Sequence, residues 1–226
     1  MTLSHSDKTA AIEFYRSRYQ RFGYSPKSLG WDKGKQDIRF QILTSFFTCA
    51  GKRILDIGCG FGDLNTTLRH TCGDDYAYLG IDLVSEFIME AQKRYAATNM
   101  RFMAGNFLEF DFTERFDLIF ASGIFNNKQE ETNQYEYISD VMQKSFMLAD
   151  EGLCFDFLSD KVDYTHTHTF HSSPEKILSI AYSLSRNVIL QNNYFPFEFT
   201  ICVFKDDSFS VEDTIFNRWK TTRSLE

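Results

Sequence analysis

The segment that most constrains this chain runs from Arg53 to Leu64 and reads RILDIGCGFGDL. A short apolar run breaks into glycines at alternate positions, Gly58, Gly60 and Gly62, and the chain then continues with helical spacing. This order predicts a strand, a tight turn and the first turn of a helix. Glycine is needed in such a turn because the backbone adopts conformations closed to other residues and lets a ligand approach it closely.

The glycine spacing narrows the kind of ligand. A dinucleotide site of the G-x-G-x-x-G kind would need its third glycine at Asp63, but here that position holds an acid. The pattern Asp56-x-Gly58-x-Gly60-x-Gly62 instead resembles motif I of class I S-adenosylmethionine (SAM)-dependent methyltransferases. In that family the acid and the glycine turn bind the methionine part of the cofactor, which implies a SAM site that includes Cys59.

The resemblance extends from about Gly51 to Phe204 and implies a fold. We expect a Rossmann-like three-layer α/β sandwich with a mostly parallel seven-stranded sheet whose last strand is antiparallel. The connection between the closing runs 187–190 and 197–204 is short, and so short a link permits only antiparallel pairing. An apolar pattern in the segment 7–22 predicts an amphipathic helix, and a second helix is predicted over 35–48. We therefore divide the chain into an N-terminal helical extension or lid (1–50), a core (51–205) and a polar tail (206–226).

Composition bounds the setting and the partners. A net charge of -7 and a pI of about 5.3 argue against a broad nucleic-acid-binding face. The five cysteines are odd in number and form no C-x-x-C pair, so they indicate neither a disulfide framework nor a zinc site. The N-terminus lacks the layout of a signal peptide, and no run is long enough to span a membrane. These features predict a soluble cytoplasmic protein with no membrane or nucleic-acid partner, and they leave a homodimer open.

Further cofactor contacts are implied by the resemblance. Asp82 ends the second predicted strand and matches the family's ribose-binding acid, with Leu83 beside it; the alternative is that Asp82 caps the helix starting near Ser85. After the third strand, Asn106 stands where the family usually has Asp facing the adenine amino group. Its neighbour Phe107 would pack on the ring or simply belong to the core.

Two more residues are assigned to the methionine end of the cofactor. Ser122 follows the fourth strand, where parallel sheets bind ligands, and lies beside the transferred methyl group in this scheme. Arg39 precedes motif I and would grip the cofactor's carboxylate bidentately, unless it is an ordinary surface arginine. The same region lacks the Pro-Pro-aromatic pattern of enzymes that methylate exocyclic base amines. This absence argues against such an activity.

The loop 159–171 carries three of the five histidines and should lie on the acceptor side of the sheet. His166, His168 and Tyr164 are the candidates for a general base or an acceptor contact, because imidazole titrates near neutral pH. The H-x-H-x-x-H pattern ending at His171 would also suit a metal, and a plain polar lid is the third alternative. We predict no metal.

The sequence thus favours a methyltransferase that acts on a small-molecule acceptor. An enzyme of the same fold that uses SAM for other chemistry, and releases methylthioadenosine, is an alternative. A SAM-binding module without chemistry is another. A protein or RNA acceptor remains open as well, since acceptor pockets are built from segments outside the shared motifs.

Overall fold

The computed structural model describes residues 2–31 and 35–220 as a seven-stranded sheet with helices on both faces. The strands are β1 (Lys52–Ile57), β2 (Tyr76–Asp82), β3 (Met100–Ala104), β4 (Phe116–Ala121), β5 (Ala149–Leu158), β6 (Val188–Gln191) and β7 (Glu198–Phe204). The α-helices are α1 (His5–Phe22), α2 (Gln36–Thr44), α3 (Leu64–Cys72), α4 (Ser85–Arg94), α5 (Gln134–Leu148) and α6 (Pro174–Leu184).

The strand order is β3-β2-β1-β4-β5-β7-β6, and β7 runs antiparallel to both of its neighbours. All other pairs are parallel. The chain leaves β1 towards β2 on one side and later returns to β4 on the other, so the order switches beside the carboxyl end of β1. Ligands bind at such a switch point in open parallel sheets. The predicted fold class, including the reversed last strand, is confirmed.

Alternating strand residues build a core on each face of the sheet, which gives the three layers. Leu55 and Ile119 point to one face and pack with the apolar sides of α5 and α6. Ile54 and Leu118 point to the other and pack with α2, α3 and α4. Because successive side chains of a strand point to opposite faces, a run that is apolar throughout, as β4 nearly is, belongs in a sheet covered on both sides.

Helix α2 is shorter than the predicted helix 35–48. It ends at Thr44, and Ser45 N–H donates to Gln41 and Ile42 as the chain turns. The turn carries Phe47 back over the sheet, where its ring lies 5.1 Å from that of Phe204. A periodic pattern that continues past a helix end can therefore come from a turn whose apolar side chains face the same core.

The structure contradicts the expectation that the cysteines form no disulfide. Cys154 of β5 and Cys202 of β7 are directly paired residues on the two antiparallel strands, and they are joined by a disulfide. They are 48 residues apart in sequence. An odd cysteine count and the absence of a C-x-x-C motif say nothing about strand register, and register is what brings these two thiols together.

The C-terminal residues are more ordered than the predicted polar tail. Phe209 and Phe216 form a bridge, and Asn217–Trp219 is a single 3₁₀ turn. Residues 221–226 lie outside the described part of the chain. No helix within the described ranges is both long and apolar enough to cross a membrane.

Candidate active site

A cavity of about 340 Å³ opens at the carboxyl ends of β1, β2 and β4, under helix α1. Its wall includes ten of the thirteen site residues that the sequence predicts. They are Asp56, Gly58, Cys59, Gly60, Asp82, Leu83, Asn106, Phe107, Ser122 and His168.

The glycine turn after β1 has the backbone that its sequence requires. Gly58, Gly60 and Gly62 have φ of 70°, 55° and 79°, in the left-handed region that favours glycine. A Cβ at Gly58 would lie 2.1 Å from Ile124 Cγ2, and one at Gly60 would lie 2.9 Å from Leu29 Cδ2. The side chains of Ile124 and Leu29 therefore occupy the space that a Cβ at these glycines would need. The bare backbone of the turn forms one end of the cavity.

Asp82 is fixed by the turn it faces. Its Oδ2 accepts from Gly60 N–H at 2.9 Å and its Oδ1 accepts from Val84 N–H at 2.8 Å. Burial raises the pKa of Asp82 to about 6, against the lowering effect of these two backbone hydrogen bonds. The carboxylate thus joins the glycine turn to the start of α4 and keeps its remaining lone pairs for a ligand with hydroxyl donors.

Asp56 lies at the end of β1, 5% exposed, and accepts from the Tyr78 hydroxyl at 2.6 Å. Burial raises the pKa of Asp56 to about 7, and the charges of Asp82 and Asp156 add to this rise. Neither Asp56 nor Asp82 forms an ion pair within the described residues, so a buried and a partly buried carboxylate share this wall of the cavity. Such a wall suits a ligand that carries positive charge.

Asn106 holds the 3₁₀ turn that follows β3. Its Oδ1 accepts from Leu108 N–H at 3.1 Å, and its Nδ2 donates to Glu109 at 3.2 Å. Glu109 in turn pairs with Lys8 of α1 at 2.6 Å. Phe107 is buried in the main core and also lines the cavity, so the core role is confirmed and the packing on adenine stays a prediction.

Arg39 is the predicted cofactor ligand that the structure does not bring into the cavity. Its guanidinium makes a bidentate pair with Glu198, and only 8% of its side chain is exposed. It also stacks 4.1 Å from the centroid of Trp31, a ring that does line the cavity and lies against Gly123. The Arg39 guanidinium therefore pairs with Glu198, which is 159 residues away in sequence, and packs on the Trp31 ring.

Helix α1 covers the cavity, and a buried acid provides one of its attachments. Asp7 is the buried residue of this helix, and its carboxylate accepts from the backbone N–H groups of Glu130, Glu131 and Thr132 at 2.8, 3.2 and 2.8 Å. Tyr15 of the same helix lines the cavity and accepts from Asn127 Nδ2 at 3.0 Å. The amphipathic pattern of α1 did not reveal Asp7, because this residue binds main-chain donors rather than the core.

We expect Asp7→Asn to loosen α1. Burial alone would raise the pKa of Asp7, but hydrogen bonds from Glu130, Thr132 and Ser4 together lower it to about 2. A lowered pKa means that the stabilisation is present above the unfolded value of 3.8 and is lost as the pH falls towards about 2. At neutral pH, limited trypsin digestion should cleave the variant within α1 faster than the wild type, by a factor on the order of 10.

The matched control is Glu13→Gln, which removes an exposed carboxylate from the same helix. Equal cleavage rates for the two variants would contradict the attachment role of Asp7. A second check is thermal unfolding at about pH 3, where part of the Asp7 contribution is lost and the gap between wild type and Asp7→Asn should narrow.

The loop 159–171 contributes one of its three predicted catalytic residues to the cavity wall. The loop pairs with residues 126–128, since His168 O accepts from Lys128 N–H and Phe170 N–H donates to Asn126. His168 lines the cavity; its ring stacks on that of His166, with centroids 5.7 Å apart. His166 and Tyr164 are exposed and lie off the wall.

The three histidines of this loop do not come together as a metal site in the described part of the chain. His171 turns inward, with Nδ1 2.8 Å from Ser159 O and Nε2 3.0 Å from Thr169 Oγ1. In the described ranges, no three His, Cys, Asp or Glu side chains come together as a metal site would need.

Sequence reasoning missed the segment 128–130 and residue Asp156. Gln129 lines the cavity, and its Oε1 is buried without a hydrogen-bond partner among the described residues. A buried amide oxygen is costly to leave unpaired, so this atom points to a ligand. Asp156 of β5 accepts from Ser122 Oγ–H at 2.5 Å and from Gly123 N–H at 2.7 Å. The available signal for Asp156 was an acid inside the apolar run 153–158, which does not indicate the partner of that acid.

Residues 49–185 match the family described as "Methyltransferase domain". The chain is 26% identical over 101 residues to a probable cobalt-precorrin-6B C(15)-methyltransferase (decarboxylating) of Thermoplasma acidophilum, a match that covers 43% of this chain and 50% of that relative. The chain thus spans about half the length of the curated relative it matches.

Two solved structures share the fold. Magnesium protoporphyrin IX methyltransferase (ChlM) from Synechocystis PCC 6803 with bound S-adenosylhomocysteine (SAH) superposes with a TM-score of 0.65 at 16% identity, covering 88% of this chain and 100% of that one. The DhpI–SAH complex gives 0.63 at 15% identity, covering 88% and 97%.

These residues fit SAM. A bare glycine turn, the carboxylate of Asp82 that braces it and the neighbouring Asp56, both without an ion pair in the described ranges, suit a nucleoside that carries a cation. The family match covers more than half of the chain and includes the glycine turn, Asp56 and Asp82. The chain belongs to the methyltransferase-domain family.

Proposed function

We propose that this enzyme transfers the methyl group of SAM to a small-molecule acceptor. The observation that carries the proposal is the roofed cavity, in which the glycine turn and Asp82 share one space with Gln129 and His168. Helix α1 closes over this space, which suits an acceptor small enough to be enclosed. The relatives are named as enzymes of a precorrin and a magnesium porphyrin, and these names support a small-molecule acceptor here.

In this proposal the cofactor lies along the carboxyl ends of β1, β2 and β4. Asp82 binds the ribose hydroxyls, Asn106 and Phe107 border the adenine, and the turn 58–60 with Asp56 and Ser122 borders the methionine part. SAM supplies a methyl group on a positively charged sulfur that is open to in-line displacement. The protein contributes alignment in a space that excludes water, which can account for a large part of the rate.

His168 is the proposed proton acceptor where the acceptor atom carries a proton. It is the one of the three loop candidates on the cavity wall. With a proton-bearing acceptor, His168→Ala should lower kcat by about 100-fold or more, while His166→Ala, in the adjacent exposed ring, should change it by less than about 3-fold. Equal effects of the two substitutions would remove His168 from this role.

The function is tested first without an acceptor. The purified protein is incubated with SAM, bound and free fractions are separated by ultrafiltration, and each nucleoside is identified by mass spectrometry. Retained SAM or SAH without net consumption supports the proposal and leads to a screen of small acceptors. Accumulation of methylthioadenosine would indicate SAM chemistry other than methyl transfer. A protein that retains neither SAM nor SAH would contradict the proposed SAM site.

We also expect proton release when SAM binds. Burial raises the pKa values of Asp56, Asp82 and Asp156 to about 7, 6 and 6, and a bound cation favours their ionised forms. Near pH 6, calorimetry in buffers of different ionisation enthalpy should give up to about one proton released per SAM, and almost none near pH 9. SAH, which lacks the sulfonium charge, should release fewer. Identical values for both ligands would contradict the charge argument.

The proposed setting is cytoplasmic, as the sequence suggested. The Cys154–Cys202 disulfide counts against a reducing compartment, since such bonds are rare there. Counting free thiols in protein taken from cells under alkylating conditions tests this: five would support the cytoplasm, and three would support an oxidising compartment.

A further inference from the structure

Behind the methionine end of the cavity lies a buried carboxylate to which the proposed function gives no role in positioning the ligand. Asp156 is 2% exposed and lies behind the turn that follows β4, outside the cavity wall. Its Oδ2 accepts the Ser122 hydroxyl and its Oδ1 accepts Gly123 N–H. Both oxygens are thus directed at two consecutive residues that do line the cavity.

These contacts fix the direction of hydrogen bonding at Ser122. A hydroxyl has one proton to donate, and the Ser122 proton is committed to Asp156 over a short 2.5 Å contact. What the Ser122 oxygen offers to the cavity is therefore a pair of acceptor sites. A ligand group that meets it must be a donor, such as an ammonium.

The turn itself is held from two sides. Gly123 has φ of 73°, and a Cβ there would lie 2.6 Å from the Trp31 ring. Ile124, the next residue, packs onto Gly58 of the glycine turn. Ser122 therefore lies next to the turn that borders the methionine part of the cofactor, and a shift of the Asp156 side chain would reach this wall directly.

The charges around Asp156 favour its ionised form at neutral pH. Burial raises its pKa to about 6, and the hydrogen bonds from Ser122 and Gly123 and the nearby Arg39 charge oppose that rise. Glu198 acts in the opposite direction, but it is itself paired with Arg39. Asp156 is thus an acceptor, rather than a donor, towards Ser122 above about pH 7.

We propose that Asp156 is a positioning residue that commits Ser122 to accept a hydrogen bond from the α-ammonium group of the bound cofactor. This inference rests on the proposed function only in that the cavity must bind SAM. It assigns a role to a residue that touches neither ligand nor solvent, and it states which chemical group the cavity selects at this point.

The test is calorimetric binding of SAH and of its analogue without the α-amino group, at about pH 8 where the carboxylates are ionised. Wild type should bind SAH about tenfold or more tightly than the deaminated analogue. Ser122→Ala and Asp156→Asn should each weaken SAH binding by about tenfold and leave the analogue almost unchanged. The double variant should be no weaker than the weaker single variant, because both changes remove the same contact.

Ser145→Ala is the matched control, since Ser145 is fully buried outside the cavity and should affect neither ligand. Equal loss of affinity for both ligands in Asp156→Asn would show a merely structural role and overturn the inference, and so would additive effects in the double variant. Should Asp156→Asn fail to fold, Ser122→Ala still decides, because unchanged discrimination between the ligands overturns the inference. Wild-type protein that binds no SAH would instead contradict the proposed function.

Discussion

Replacing Asp82 by Ala is expected to weaken SAH binding by about 1–3 kcal/mol, or about 5- to 150-fold. The carboxylate does two things that Ala cannot do. It offers acceptors to the ribose hydroxyls, and it holds the N–H groups of Gly60 and Val84 so that the turn and the start of α4 stay in register. The upper part of the range applies if both roles are lost together.

The ribose role can be separated from the bracing role by changing the ligand. Wild type should prefer SAH to its 2′-deoxy analogue, and Asp82→Ala should lose that preference because the acceptor for the missing hydroxyl is gone. Asp82→Asn, which keeps the shape and one acceptor oxygen, should fall between the two. A preference that survives in Asp82→Ala would leave Asp82 as a brace of the turn only.

The pH dependence gives an independent check. Because the pKa of Asp82 is raised to about 6, the carboxylate that accepts from the ribose is lost as the pH falls through about 6. Wild-type affinity for SAH should fall in that range, and Asp82→Asn should show a shallower fall. Asp56 and Asp156 also titrate there, so some dependence should remain in the variant.

The same buried acid carries a cost in stability. Its folded pKa lies above the unfolded value of 3.8, so the folded protein binds more protons between these values and stability falls as the pH rises from about 3.8 to about 6. Asp82→Asn should reduce this fall in the ligand-free protein.

The parts of the site that the sequence predicted are those defined within a few residues of chain. The turn needs positive φ values, which only glycine adopts at low energetic cost. The spacing of Gly58, Gly60 and Gly62 therefore predicts the turn without information from the rest of the chain. Asp82 follows from the end of a strand, a position that the parallel sheet determines. The fold class follows in the same way, from alternating strands and helices and from a short final link.

The parts that it missed depend on partners distant in sequence. Asp156 reaches Ser122 across 34 residues, and Asp7 reaches Thr132 across 125. Arg39 has the right charge and place for a carboxylate, but Glu198 reaches it once β7 pairs with β5. Such contacts depend on strand register and loop path, and neither leaves a local pattern in the sequence.

Gly58→Ala is the second change for which we expect a large effect, with SAH affinity falling by about 100-fold or more. Two costs add at this position. The backbone is in the left-handed region at φ 70°, which costs about 1–2 kcal/mol for a residue with a Cβ. The new methyl group would also lie 2.1 Å from Ile124 Cγ2, and relieving that overlap in packed surroundings costs about 1–3 kcal/mol more.

Gly51→Ala separates these costs, because Gly51 has φ of 73° and nothing within 4 Å of an added Cβ. It should lower the free energy of unfolding by the backbone cost alone, about 1–2 kcal/mol, and leave SAH binding unchanged. Gly58→Ala combined with Ile124→Ala should recover the packing part of the loss but not the backbone part. Equal effects of Gly51→Ala and Gly58→Ala on SAH binding would mean that the close packing at this turn, and with it the shape of the methionine end, is unimportant for the ligand.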